Sequence, residues 1–375
     1  MNFELSEEQQ LLQDSVARFV QDNYELENRA KLVASKKGFS EEHWNTMAEL
    51  GWFALPFDEA QGGFGGNQID TMVVMEQIGK GLVLEPFFAS VVLGGGVLKR
   101  AGSEAQIAEL VPGLIDGSKQ LTLAYAEEQA RFDLHDVTTT ARAAGDGVVL
   151  NGHKSMVTNA ETASHIIVSA RTSGGQIDEN GISLFIVPAD ADGVTLKNFP
   201  TVDGLRASEV TFNDVRLGQD ALIGELDNGF GVLKAVANDA ILALAAEAVG
   251  CMEVLYKDTV AYTQEREQFD HPLSDFQVLQ HRMVEMFMEY EQCKSLLFRA
   301  TLEAAQGDSE EAQRCVHALK HMIGKMGIFI GENAVQLHGG MGMTEELRIG
   351  HYFKRLLVID AQFGNADYHL HRFAA

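Results

Sequence analysis

The groups in this sequence that could do chemistry are few, and most stand alone. His317 and His321 lie four residues apart on one face of a helical stretch, a spacing at which two imidazoles can share a metal ion. A metal site needs three or four ligands, and no further ligand lies nearby in sequence, so a solvated helix face is expected for both. His369 and His371 read the same way. Glu247 stands in Ala245-Ala246-Glu247-Ala248-Val249-Gly250, an apolar helical run. Burial there would raise its pKa and suit it to proton abstraction, whereas an ion partner would make it structural. Asp360 and Asp367 are expected to be structural, since turn and cap roles suit aspartate. The chain carries no GxxxxGK[ST], no GxGxxG after a strand, no HExxH and no GxSxG. P-loop, Rossmann, zincin and α/β-hydrolase chemistry are therefore unsupported.

The elements that must position these groups fall into three stretches. The first is helical. Ser6-Glu7-Glu8-Gln9 has capping-box form ahead of Leu11, Leu12, Val16, Phe19 and Val20 at helical spacing. Ser40 is a second N-cap, and Gly51 is placed to end the helix it starts. Further apolar helices are expected around Thr71–Ile78 and Phe87–Arg100, beyond the glycine-rich loop at residues 61–66. From Leu121 to about Leu217 the segments are short and β-branched, with Ile166–Val168 and Ile182–Val187 as strands. Asn151-Gly152 is expected to be a hairpin turn there. Long amphipathic stretches then return at Phe230–Arg266, Phe276–Ala305 and Glu310–Gly339, as in a bundle. The expected fold is α+β but mainly α: an N-terminal helical domain (1–118), a small central β-barrel or sandwich domain (119–222) and a C-terminal four-helix bundle (223–375).

The 375 residues are 46% hydrophobic and 22% charged, which excludes a disordered chain. With 29 Lys and Arg against 54 Asp and Glu, the net charge of -25 argues against nucleic-acid partners and against docking on an anionic membrane. Cys251, Cys293 and Cys315 are odd in number and form no CxxC, so a reducing compartment is expected rather than a disulfide scaffold. The acidic opening Met1–Glu8 lacks the basic region of a signal peptide, and no apolar run approaches the roughly 18–20 residues of a membrane span. A soluble, cytoplasmic protein is expected.

Four segments in order then carry a specific resemblance. Lys154-Ser155-Met156-Val157-Thr158-Asn159 resembles a "K-x-W-I-T-N" strand, and Tyr262–Phe269 resembles a "Y-x-x-x-R-x-Q-F" signature. Phe276-Gln277 and Gln280 continue that signature, and Ala334–Gly342 resembles an "A-V-Q-x-x-G-G-x-G" turn. These are motifs of the acyl-CoA dehydrogenase family, and the resemblance covers essentially the whole chain. It implies FAD-dependent α,β-dehydrogenation of an acyl-CoA thioester, with hydride passing to the flavin while a carboxylate removes the α-proton. It also implies flavin sites shared between subunits, one holding the flavin ring and substrate, its neighbour contributing groups to the pyrophosphate and adenosine.

The resemblance implies that the neighbour-contributed half is intact. Arg266 would clamp the pyrophosphate, a role suited to a fixed, bidentate guanidinium. Phe269 would pack on the cofactor, and Gln277, Gln336 and the backbone at Gly340 would complete that half. Of the ring-binding half, Thr158 survives, and Tyr125 and Met156 are further cofactor-binding candidates, but the family's "T-E-P-x-x-G-S-D" reads Ala126-Glu127-Glu128-Gln129-Ala130-Arg131-Phe132-Asp133. The family's usual "Y-E-G-T" falls on Gln362-Phe363-Gly364-Asn365, so the base position is Phe363. The alternative base position used in some members falls near Ile241, also not acidic. No other catalytic residue is assigned, and no metal is expected.

These losses, with the run Ile349–Arg355 and Asp367–Leu370, resemble the base-lacking small subunits of bacterial heterotetrameric acyl-CoA dehydrogenases. The expectation is a subunit that lends FAD-binding residues to a partner chain carrying the glutamate. A steroid side chain or another acyl group in β-oxidation would be the substrate, and an electron-transfer flavoprotein the acceptor. The alternatives are a homo-oligomer with an unusual base such as Glu247, and a flavin-free structural subunit.

Overall fold

The computed structural model describes residues 5–375; residues 1–4, the start of the acidic opening segment, lie outside the described residues. The N-terminal stretch folds as α1 (Glu7–Asn23), α2 (Leu26–Ala34), α3 (Glu41–Glu49) and α4 (Gln68–Gly81). A π-helical segment, Phe88–Gly95, runs into α5 (Gly96–Ala101) and is followed by α6 (Glu104–Ile115). The strands are β1 (Leu121–Ala124), β2 (Thr140–Ala144), β3 (Gly147–Thr158), β4 (His165–Arg171), β5 (Ile182–Pro188), β6 (Val194–Pro200), β7 (Arg206–Leu217) and β8 (Leu222–Ile223). Then come α7 (Gly229–Glu265), the two-residue strands β9 (Glu267–Gln268) and β10 (His271–Pro272), α8 (Gln277–Ala305), α9 (Glu310–His338), α10 (Ile349–Ala361) and α11 (Ala366–Ala374). The fold class is the expected one, mainly helical around a central β region. No described helix is long and apolar enough to cross a membrane.

The helix starts are written locally. Ser6 and Gln9 form the expected capping box, Ser40 accepts from the His43 N–H, and Gly51, in the left-handed region, follows α3. The chain divides into two compact units, one of the residues up to Lys31, Asn67–Val83 and Ile241–Ala375, the other of Leu32–Gly66 and Leu84–Ala240. In the second unit the strands form one sheet in the order β6-β7-β3-β2-β4-β5-β8, with β1 added parallel to β4. Ile166, Val168, Phe185, Val210, Phe212 and Val215 are its core. Asn151-Gly152 is not a turn. The β2–β3 hairpin closes at Gly145-Asp146, and Asn151-Gly152 lies inside β3 at a bulge against β7. A Cβ on Gly152 would stand 2.6 Å from the Thr139 backbone, so the glycine answers a close approach rather than a reversal.

In the helical unit, α4 and α7 cross at paired glycines. A Cβ on Gly79 would strike the Glu247 carbonyl, and one on Gly250 the Glu76 carbonyl. On α9, Gly324 and Gly331 likewise leave room for Asp360 and Phe353 of α10. The loop between α10 and α11, residues 362–365, is held through its backbone and the Asn365 side chain. The buried Lys320 ammonium donates to the carbonyls of Ile359 (2.9 Å), Asp360 (2.9 Å) and Gly364 (2.7 Å). Asp360 Oδ1 accepts from the Ala366 N–H at 2.9 Å, and Asn365 caps α11 through the Tyr368 N–H. Asp360 is thus structural, as expected.

The histidines depart from the expectation of a solvated face. His369 is buried, and its Nε2 lies 2.9 Å from the Phe363 carbonyl, while its Nδ1 lies 2.9 Å from His317 Nδ1. A carbonyl only accepts, so neutral His369 carries its proton on Nε2 and its Nδ1 accepts from His317. His321 is half-buried with Nδ1 at 2.9 Å from the Ala366 carbonyl. The i,i+4 pair points at α11 because α11 packs along α9, a tertiary fact that helical spacing does not contain. His371 is exposed, as expected.

Burial holds His369 far below the usual histidine value, at about 3, so it stays neutral in the fold. An unfolded chain takes up that proton as pH falls through the ordinary histidine range, and the folded chain does not until about pH 3. Stability from this group is therefore complete above that range and is lost as pH falls. Between about pH 7 and pH 5 it should account for roughly 2 kcal/mol of lost unfolding free energy. Denaturant melts of wild type and His369→Gln at both pH values check this: the drop should shrink by that amount in the variant.

Candidate functional site

The sequence-predicted site residues gather in two places, one in each compact unit. In the helical unit, the end of α7, the start of α8 and the end of α9 enclose a groove of ≈ 970 Å³. Arg266, Gln336 and Gly340 line it together. Arg266 follows the last residue of α7, with its N–H bonded to the Tyr262 carbonyl and its own carbonyl accepting from Leu273, both at 2.8 Å. The backbone is thus fixed in both directions. The guanidinium is exposed and, among the described residues, has no hydrogen-bond or ion partner. Gly340 lies in the 3₁₀ turn after α9, and a Cβ there would meet nothing within 4 Å. Backbone at that point is open to close approach by an anion.

Phe269 and Gln277 are not among the lining residues, although they flank it in the chain. Phe269 sits in the turn joining β9 and β10, is 85% exposed, and packs edge-on against Phe276. Gln277 is the exposed first residue of α8, a helix with no side-chain cap and no acid in its first turn. The groove also holds residues to which the motifs assigned no role. Tyr262 stacks on His338 at 4.3 Å and 27°, and burial lowers the His338 pKa, so the imidazole is a neutral platform wall. Arg282 lines the groove from α8 and, like Arg266, is exposed without a partner among the described residues. The signal available in the sequence was an arginine about one and a half helical turns beyond Gln277.

In the β unit, Tyr125 directly follows β1, and Met156 and Thr158 lie in the last residues of β3. The Ser155 N–H donates to the Ala126 carbonyl at 2.9 Å, tying the segment after β1 to β3, and Thr122 Oγ1 donates to the Thr158 carbonyl at 2.5 Å. Between Lys154 and Val157 the β3 register shifts, and Met156 stands at φ 53° with 52% exposure. Beneath this bulge is a buried ion pair. Lys154 Nζ donates to Glu127 Oε1 (2.7 Å), Ser169 Oγ (3.0 Å) and the Tyr125 carbonyl (3.4 Å). Glu127 also accepts from the backbone N–H groups of Thr138 (2.8 Å) and Thr139 (3.1 Å) and from the Thr138 hydroxyl. Burial would raise the Glu127 pKa, but Lys154 and these donors outweigh it and hold the carboxyl at about 2.

Phe363, where the motif resemblance puts the usual family base, is buried at φ 54° in the clamped loop after α10. Glu247 is buried too, but it is not free. Its Oε1 and Oε2 accept from Arg355 Nε and Nη2, each at 2.6 Å, a two-point ion pair joining α7 to α10. This supports the structural reading of Glu247. Ile241 is buried and apolar, and Asp367 lies in the first turn of α11. No group of three His, Cys, Asp or Glu able to hold a metal occurs among the described residues.

For a dinucleotide flavin, the groove supplies the right donor set for its diphosphate: two unpartnered guanidinium groups, an amide at Gln336 and open backbone at Gly340. The comparisons agree in kind. The family models for the acyl-CoA dehydrogenase N-terminal, middle and C-terminal domains match residues 6–118, 122–215 and 227–375. The chain is 30% identical over 372 residues to the probable acyl-CoA dehydrogenase YngJ of Bacillus subtilis, covering 98% of this chain and 97% of that one. Among solved structures it resembles a variant of the Tcur3481-Tcur3483 steroid ACAD (TM-score 0.88, 27% identity, 98% and 97% coverage). It also resembles the FAD complex of PigA (TM-score 0.92, 26% identity, 100% and 98% coverage). Matched over nearly its whole length by all three domain families and by a relative of the same length, the chain belongs to the acyl-CoA dehydrogenase family of FAD-dependent oxidoreductases.

Proposed function

We propose that this chain is a subunit of a heteromeric acyl-CoA dehydrogenase that lends FAD-binding groups to a partner chain, the partner carrying the catalytic glutamate. The observation that carries this reading is Phe363: a phenyl ring cannot accept the α-proton of a thioester, yet its loop is built and held. Bound FAD supplies the hydride acceptor. This chain's part is binding and orientation. Arg266 presents a fork that matches two phosphate oxygens, and its fixed backbone keeps that fork in place. Gln336 offers an amide, and Gly340 beside it leaves room for close approach to the backbone. Near the end of β3, the exposed Met156 side chain offers a thioether that can pack on a flat ring, and the half-buried Thr158 offers a hydroxyl. The likeness to a steroid enzyme makes a steroid-side-chain CoA thioester the first substrate to test, and an electron-transfer flavoprotein is the acceptor that family membership points to.

The homo-oligomeric reading needs a free carboxylate, and Glu247 has both oxygens engaged by Arg355. Glu247→Gln leaves an arginine buried without its counter-ion, so it should cost about 3–5 kcal/mol of stability. Turnover of the assembled enzyme should survive in whatever fraction stays folded. A fall in turnover of about 10²–10⁴ with an intact melting profile would instead make Glu247 the base.

The shared-site reading predicts flavin only on assembly. The chain purified alone should be colourless and inactive, and co-expression with a second family chain that has an acidic residue at the Phe363 position should yield a yellow, active complex. In that complex, Arg266→Ala in this chain should weaken FAD binding about 10- to 100-fold, the range for a lost hydrogen bond to a charged group. Yellow, active protein from this chain alone would overturn the reading, as would an Arg266→Ala complex that holds FAD unchanged.

A further inference from the structure

We propose that Arg282 is a second phosphate-binding cation of the Arg266 groove, so that a dinucleotide diphosphate is held there by two guanidinium groups. The inference rests on the reading of this groove as half of a shared FAD site. Its own ground is the charge arrangement. The chain has 54 acidic residues against 29 Lys and Arg, yet none of the residues lining the groove is acidic. Elsewhere, Arg299 pairs with Glu311 at 2.6 Å and Arg348 with Asp258 at 2.6 Å, while Arg18, Arg142 and Arg216 are exposed without an ion partner among the described residues. Arg266 and Arg282 instead line one cavity, each without an ion partner among the described residues. Two like charges in one groove repel unless an anion lies between them, and the repulsion weakens when that anion arrives. A diphosphate carries one negative charge on each phosphate, and guanidinium binds phosphate in a two-point fork. Beside them, Gln336 and Gly340 add uncharged donors, and the Tyr262–His338 stack offers an aromatic wall for the adjoining base. No acid in the first turn of α8 offsets the positive field.

The test uses the assembled flavoprotein stripped of flavin and retitrated with FAD, ADP and adenosine, followed by fluorescence. Arg282→Met should weaken FAD and ADP about tenfold, leave adenosine unchanged, and flatten the dependence of FAD affinity on salt. Arg282→Lys, which keeps the charge and loses the fork, should fall between Met and wild type. Melting temperatures should be unchanged, because the side chain is exposed. If Arg282→Met binds FAD and ADP as wild type does while Arg266→Ala weakens them, the second-cation proposal is overturned and the shared site stands. If neither substitution changes FAD affinity, the reading of the groove fails and this proposal with it. If adenosine weakens in step with ADP, Arg282 acts on the base or on groove shape, and the phosphate role is wrong.

Discussion

An acidic chain must decide where its scarce cations go, and that allocation organises the structure. Five cationic residues are buried: Arg29, Lys154, Arg171, Lys320 and Arg355. Burying such a group is costly unless its donors are met, and each of these binds a segment that would otherwise be loose. Lys154 joins β3 to the segment after β1 through Glu127, and Arg355 joins α10 to α7 through Glu247. Arg171 gathers four loop carbonyls, those of His135, Gln176, Asp178 and Asn180, each at 2.8 Å. Lys320 gathers three at the end of α10. Against that background, two arginines left without acids on one groove are conspicuous. Interior cations are fixed by the fold, whereas these two are available to something the fold does not itself supply.

On the proposed reading, the loop around Phe363 would keep the scaffold of a site without its reactive group. Hydrogen bonds that fix the loop include those of Lys320 to three carbonyls, of His369 to the Phe363 carbonyl, of Asp360 with the Ala366 N–H and of Asn365 with the Tyr368 N–H. None of these involves the Phe363 side chain. Replacing an acid there by a phenyl group therefore leaves the clamp untouched and adds apolar burial, which stabilises rather than disrupts. Chemistry and architecture are uncoupled at this position. At Glu247 they are not, since removing that carboxylate would strand Arg355.

What the sequence disclosed follows the range of the forces involved. Helices and caps are local: Ser6, Ser40, Gly51 and the three long C-terminal helices could be read from neighbours within a few residues, and the described ends differ from expectation by a residue or so. Motif order gave the family, because four segments at fixed spacing constrain one another. Facts set by partners far along the chain stayed hidden. Asn151-Gly152 has turn chemistry, but the space left by Thr139 decides its role, and a dipeptide does not report that space. His317 and His369 are 52 residues apart, so their pairing was invisible, and a solvated face was the natural inference from spacing alone. An ion partner for Glu247 could be anticipated but not identified, since Arg355 lies 108 residues on. The groove arginines divide the same way: Arg266 stands in a motif and Arg282 does not, so only the folded cavity brings the second one into view.

The turn at Phe269 carries the shared-site argument one step further. Phe269 and Asp270 both have positive φ, at 56° and 62°, in the two-residue connection between β9 and β10. That conformation favours Asn-Gly, and placing a bulky aromatic residue there is locally unfavourable. The ring gains little in return within its own chain, being 85% exposed with one edge-on contact to Phe276. A strained backbone presenting an exposed aromatic beside two unpaired arginines is poorly explained by the stability of this chain alone. It is well explained if a second chain, and the cofactor that chain holds, cover the turn. The local strain and the missing counter-ions then have one cause.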